Sequence, residues 1–306
     1  MKLLLTGAFS YSEEQLSALR NSGFEITFVQ DEQAELNTDE SQFDAVVCNN
    51  LFKYHSPEKF TNLKVVQLTS AGFDRVPVGY FASHSISLFN ARGVYSIPMA
   101  EWTILKTLEI YKKSSEFYNQ QKKKVWEKHR DLFEINGKTV LIVGTGSVGC
   151  ECAKRFSAFG ARVLGADLFD SKSPFVDEFV HIDNVRDALR CADITVLTLP
   201  LNQNTENLFS ENLLSVMKND SILINVSRGG IINEEALIKA MKEDKFAGVA
   251  LDVFEEEPLP PESPLWTIPR LYITPHNSFV SDGTGKRMFD LIYKNLTEFD
   301  FGKKTP

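Results

Sequence analysis

Short apolar runs separated by amphipathic stretches organise the chain. The first five runs are Lys2–Thr6, Glu25–Val29, Asp44–Cys48, Val65–Thr69 and Ile86–Phe89. Ser12 stands where an N-cap would open a helix that ends before Gly23. This alternation predicts a small parallel α/β unit of about 90 residues. A long helical stretch follows from Pro98 to about Gln120, with Pro98 in the first turn, where its missing N–H costs nothing. The segment Lys122–Arg130 is basic around Trp126 and reads as a solvated turn or subunit contact.

From Lys138 the pattern sharpens. Six runs rich in Val, Ile and Leu follow: Thr139–Val143, Arg162–Ala166, Ile194–Leu199, Ile222–Val226, Gly248–Asp252 and Leu271–Thr274. Continuously apolar strands are covered on both faces, as in a doubly wound parallel sheet. Four prolines make Glu255–Pro264 a rigid, non-helical loop. The last stretch, Gly283 to Phe299, has helical spacing and leads back toward the first block. There is no internal repeat beyond the α/β rhythm and no low-complexity tract.

Composition narrows the function classes. A chain of 306 residues is long for one core, so two domains are expected. Hydrophobic residues at 43% and charged residues at 24% are an ordinary globular balance. The net charge of −8 disfavours a nucleic-acid surface but leaves room for a local cation that binds an anionic substrate. The opening apolar run, Leu3 to Leu5, is too short for a signal-peptide core, and nothing approaches the ~20 apolar residues of a membrane span. The four cysteines, Cys48, Cys150, Cys152 and Cys191, form no CxxC pair and no zinc-spaced cluster. Reduced thiols, no metal and a cytoplasmic location are expected.

The first chemical motif follows the strand Thr139–Val143. It is Gly144-Thr145-Gly146-Ser147-Val148-Gly149, with a helical stretch directly after it. Gly144 permits the tight turn, Gly146 lets a pyrophosphate approach the backbone, and Gly149 lets the helix pack on the strand. The helix N-terminus offers N–H groups and partial positive charge to the phosphates. A lone GxGxxG is weak, but here an acid, Asp167, ends the next strand at about the expected spacing. Its carboxylate would bond the ribose hydroxyls and repel a 2′-phosphate, and no Arg follows in Leu168-Phe169-Asp170. NAD is therefore expected rather than NADP.

The carboxyl ends of the later strands, where such folds bind ligands, carry three further groups. Arg228 follows the run Ser221–Val226, Glu257 lies in the loop after Phe254, and His276 follows Thr274-Pro275. Alone, each reads as surface or structure. Together, behind a dinucleotide motif, they form a sensible set. A 2-keto acid needs a cation for its carboxylate and carbonyl, which the planar Arg228 fork supplies. Reduction creates an alkoxide that needs a proton, which His276 can give. Glu257 beside that ring would orient it and favour its protonated form.

At this point the chain resembles the D-isomer-specific 2-hydroxyacid dehydrogenase family over nearly its whole length. "VLIVGTGSVG", "ADITVLTLPLNQNTENL", "LINVSRGGIINEEAL", "GVALDVFEEEPLP" and "ITPH" fall in the family order. The resemblance implies Arg228, Glu257 and His276 as catalytic residues, Pro200 and Ser227 lining the nicotinamide, and Asp252 reaching its carboxamide. It implies that Ser70, Ala71 and Gly72 form a substrate loop whose N–H groups hold the carboxylate. It also implies a Rossmann-type sheet, residues 97–280, inserted in a smaller flavodoxin-like domain, residues 1–96 plus 281–306. The substrate would enter a cleft between them. A homodimer joined through the helix near Pro98 is expected.

Two departures bear on substrate. Asn277-Ser278-Phe279 replaces a small Gly- or Ala-rich stretch after the histidine, and Tyr95 stands where many members differ. Arg75 and Arg92 are candidate phosphate ligands, with surface roles as the plainer reading. The chain stops at Pro306, so no C-terminal regulatory domain is expected. The substrate, a small 2-keto or 2-hydroxy acid, stays open, as do a nucleotide-sensing corepressor-like role and formate or phosphite as donor.

Overall fold

Parallel strands build both parts of the chain, and contacts divide it into two units, Met1–Tyr95 with the segment from Ser281 onward, and Ser96–Val280. The computed structural model describes residues 1–302.

The first unit runs β1 (Lys2–Thr6), α1 (Glu13–Asn21), β2 (Glu25–Val29), β3 (Ala45–Cys48), α2 (Leu51–Tyr54), β4 (Val65–Leu68), α3 (Val78–Ser83) and β5 (Ser87–Phe89). The strand order is β2-β1-β3-β4-β5. Ser12 caps α1 through a full capping box. Its hydroxyl accepts from the Gln15 N–H at 3.2 Å and the Gln15 side chain accepts from the Ser12 N–H at 3.0 Å. Such a cap is worth about 1 kcal/mol. The period-two alternation of β1 sends Leu4 to one face, with Val46, Val66, Phe52 and Phe81, and Leu3 and Leu5 to the other, with Ala45, Val47 and Leu19.

The second unit opens with α4 (Ser96–Tyr111) and α5 (Ser114–Lys123). One continuous helix from Pro98 to about Gln120 was expected. The chain instead breaks at Lys113, whose φ of 50° is left-handed and cannot continue an α-helix. There follow β6 (Thr139–Val143), α6 (Ser147–Ala158), β7 (Arg162–Asp167), β8 (Glu178–His181), α7 (Val185–Cys191), β9 (Ile194–Leu197), α8 (Glu211–Val216), β10 (Ser221–Asn225), α9 (Glu234–Lys242), β11 (Phe246–Leu251) and β12 (Leu271–Ile273). The sheet has seven strands, β12-β11-β10-β9-β6-β7-β8, all parallel. β8 adds an edge strand to the six expected runs. One core face joins Leu141 and Val143 to Leu197 and Leu223; the other joins Val140 and Ile142 to Phe156 of α6 and Ile104 of α4.

Chain order reverses between β6 and β9, so the carboxyl end of β6 lies at the topological switch point where doubly wound sheets bind ligands. The glycine motif begins there. The closing helix, α10 (Thr284–Glu298), belongs to the first unit, where Met288, Ile292 and Leu296 bury against Leu3, Leu5 and Leu19. Among the described residues no helix is long and apolar enough to cross a membrane, and all four thiols are free.

Candidate active site

The glycine motif forms the turn from β6 into α6. Gly144 has φ 100°, and a Cβ there would lie 2.8 Å from the Leu199 nitrogen, so both backbone conformation and space demand glycine. A Cβ on Gly149 would fall 2.0 Å from the Gly144 oxygen, which is how closely α6 is seated on the strand. Gly146 is the N-cap of α6 and, as a glycine, brings no side-chain cap. Space beside Gly146 is open. The N-terminus of a twelve-residue helix behind a glycine turn suits a pyrophosphate, so the loop fits a dinucleotide.

Asp167 ends β7 and turns back on this loop. Its Oδ2 accepts the Thr145 N–H at 2.7 Å and the Thr145 hydroxyl at 3.3 Å, while Oδ1 accepts the Leu168 N–H at 2.7 Å. A carboxylate offers about four lone-pair sites, so room remains for a ribose hydroxyl. On the other side the Thr198 hydroxyl donates to the Gly144 carbonyl at 2.5 Å. Ser147 and Val148 are half-buried in the first turn of α6.

Three further groups sit at the ends of β10, β11 and β12. After β10 the buried Asn225 folds the chain back. Its Oδ1 accepts from the Ser227 N–H at 3.0 Å and the Ser227 hydroxyl at 2.7 Å, and its Nδ2 donates to the Arg228 carbonyl at 2.9 Å. The Arg228 guanidinium donates to the Ser227 carbonyl at 2.8 Å. A Cβ on Gly229 would come 1.8 Å from the Phe254 carbonyl carbon, so the arginine turn packs directly on the chain that leads to Glu257.

His276 Nδ1 pairs with Glu257 Oε2 at 2.7 Å, both side chains 35% exposed. The other Glu257 oxygen accepts the Phe254 N–H at 3.0 Å, which fixes the carboxylate before it meets the ring. His276 itself has φ 49°, a left-handed conformation uncommon outside glycine. Its N–H donates to the Asp252 carbonyl at 2.8 Å.

Residues 104–278 match the model of the D-isomer specific 2-hydroxyacid dehydrogenase NAD-binding domain. The chain belongs to the D-isomer specific 2-hydroxyacid dehydrogenase family. A glyoxylate reductase of Thermofilum pendens is 33% identical over 254 residues, 80% of this chain and 74% of that protein. A D-3-phosphoglycerate dehydrogenase of Methanocaldococcus jannaschii is 34% identical over 78% of this chain but only 46% of its own length. Among solved structures, a family protein from Aeromonas salmonicida is 28% identical with a TM-score of 0.80, covering 98% of this chain and 99% of its own.

Within the family's NAD-binding domain, Asp252 is fully buried, and its oxygens hold the histidine loop. Oδ1 accepts the Thr274 hydroxyl at 2.5 Å and the Asn277 N–H at 2.8 Å; Oδ2 accepts the Ser278 N–H at 2.9 Å. The sequence pointed to Asp252 as a cofactor contact and missed this clamp, as it missed Asn225 and Thr198. Polar residues at buried strand ends were the available signal. Pro200 is exposed, and its carbonyl accepts the Thr205 hydroxyl at 2.7 Å. Phe279 sets its ring edge-on to His276, centroids 5.9 Å apart.

Ser70, Ala71 and Gly72 lie in the first unit, in the loop after β4. Every carbonyl from Ser70 to Phe73 is engaged: Ser70 by the Ala91 N–H, Ala71 by Asn90 Nδ2, Gly72 by the Ser70 hydroxyl and Phe73 by the Val76 N–H. Among the described residues the N–H groups of Ala71, Gly72 and Phe73 donate to no acceptor. A loop with its carbonyls tied down and successive amides unspent has N–H groups left to donate. The Tyr95 hydroxyl donates to the Thr69 carbonyl beside it. Trp126, in the basic segment, is 96% exposed.

Proposed function

We propose that this protein reduces a small 2-keto acid to a D-2-hydroxy acid, reversibly, with Arg228, Glu257 and His276 as its catalytic residues. The observation that carries the reading is the His276–Glu257 pair, fixed at 2.7 Å beside the arginine turn of an NAD-binding domain. Bound NADH supplies the hydride. Arg228 binds the carboxylate and draws charge toward the carbonyl oxygen, which makes the carbonyl carbon electrophilic. His276 donates the proton that the oxygen needs as it becomes an alkoxide. Nε2 is the nitrogen for that transfer, because Nδ1 is held by Glu257.

The Ala71 and Gly72 N–H groups are assigned to the substrate carboxylate, with Ser70 shaping their loop. Gly144–Gly149 are assigned to the pyrophosphate, Asp167 to the ribose, Pro200 and Ser227 to the nicotinamide, and Asp252 to the carboxamide end. A second copy of the chain is the proposed partner, covering the exposed Leu105, Tyr118, Val125 and Trp126. NADH oxidation against glyoxylate, hydroxypyruvate, pyruvate and phosphohydroxypyruvate tests the reading. His276→Ala is expected to lower turnover by about 10²–10⁴ while NADH still binds. Near wild-type turnover in that variant rejects the assignment, and NADH binding with no turnover on any keto acid leaves a sensor rather than an enzyme.

A further inference from the structure

The sheet of the first unit, ordered β2-β1-β3-β4-β5, has its own switch point between β1 and β3. Asn49 is the first residue beyond β3, and the Thr69 N–H donates to the Cys48 carbonyl at 2.9 Å, so the end of β3 abuts the start of the Ser70–Gly72 loop. The Arg75 guanidinium reaches into this corner, donating through Nη1 to Asn49 Oδ1 at 3.2 Å. Arg75 is half-buried and forms no ion pair among the described residues. Nearby Tyr95 is affected by the same charge: burial raises its phenol pKa and Arg75 opposes that rise.

An acid at the switch point, Glu32, is held by other partners. Its Oε1 accepts from the Thr6 hydroxyl at 2.6 Å and the Asn49 N–H at 2.7 Å, and its Oε2 from the Asn50 N–H at 2.6 Å. A partly desolvated guanidinium with one neutral partner has donors left for an anion, and its planar fork matches carboxylate and phosphate oxygens. With the adjoining amides assigned to one acidic group in the function proposed above, the donors of Arg75 remain for another.

We infer that Arg75 recognises a second acidic group, carboxylate or phosphomonoester, at the far end of the 2-keto acid. This rests on the function proposed above and narrows its substrate to doubly anionic 2-keto acids. Arg75 acts on specificity and takes no part in the hydride or proton transfer.

The test measures kcat/KM for NADH oxidation on matched pairs, 2-ketoglutarate against 2-ketovalerate and phosphohydroxypyruvate against hydroxypyruvate. The first pair reports a distal carboxylate and the second a phosphate. In the wild type at least one doubly anionic member is expected to be preferred. Arg75→Met should lower that preference by about 10- to 100-fold. Arg75→Lys should keep part of it, and NADH affinity serves as the folding control. An equal loss on both members of each pair, or an unmoved ratio, overturns the role of Arg75 alone. Wild-type turnover on no keto acid at all overturns the underlying function and this inference with it.

Discussion

Glu257 meets His276 Nδ1 with one carboxylate oxygen while the other is held by the backbone of its own loop, at Phe254. The glutamate is thus anchored by its own loop as it orients the ring. A residue anchored at one end transmits position as well as charge.

Glu257→Gln keeps the shape but replaces the carboxylate that meets His276 Nδ1 with a neutral amide. Keto-acid turnover is expected to fall by about 10- to 100-fold, with NADH affinity retained, since charge-assisted hydrogen bonds are about twice as strong as neutral ones. Single-turnover NADH oxidation reads this directly. Wild-type rates would show that the carboxylate does not act through His276.

Asp252 holds three donors from the segment that carries His276. In Asp252→Asn one oxygen becomes an NH2 group facing a donor. The expected cost is about 1–3 kcal/mol of stability, because the loop is left with an unpaired buried group. Urea unfolding measures it, and turnover should fall in parallel as His276 loses its left-handed hold. An unfolding midpoint equal to that of the wild type would refute the clamp.

Asp167 braces the glycine loop through the Thr145 N–H and is also the residue assigned to the ribose. Asp167→Ala is expected to weaken NADH binding and to narrow the preference for NADH over NADPH, since the repulsion toward a 2′-phosphate disappears. Paired cofactor titrations check both effects. An unchanged preference with weaker binding would leave only the bracing role.

Asp193 gives a pH-dependent prediction. Burial works against its charge, but the Lys218 ammonium at 2.6 Å and the Thr139 N–H at 2.9 Å outweigh burial and lower its pKa. A carboxylate depressed in the folded state stabilises above its unfolded value of about 3.9, and that contribution disappears as pH falls through the lowered value. Asp193→Asn should therefore cost about 1 kcal/mol near neutrality, with the gap to wild type closing in acid. Equal gaps at both pH values would contradict this.

The buried strands were legible because both faces of each are apolar, which leaves one period-free run per strand. β8 was not. Glu178-Phe179-Val180-His181 sits at the sheet edge with exposed ends, so it carries no such run. The break at Lys113 was hidden for another reason: apolar spacing continues through it, and a left-handed lysine leaves no mark in composition. At the candidate site, Arg228, Glu257 and His276 stood out as candidates because each follows a strand end, and the structure pairs His276 with Glu257. The inward turn of Asp252 could not, since its donors lie more than twenty residues away at Thr274, Asn277 and Ser278.

The placement of α10 has a consequence for biogenesis. The first unit draws Met288, Ile292 and Leu296 from the far end of the chain, and Asn295 Nδ2 bonds Gln67 Oε1 at 2.7 Å. As the polypeptide emerges from the ribosome, residues 1–95 come out first yet lack the helix that covers Leu3, Leu5 and Leu19. The later-made NAD-binding domain has all its own parts once residue 280 has appeared. Residues 1–95 are made before the NAD-binding domain, yet their core is completed by a helix made after it.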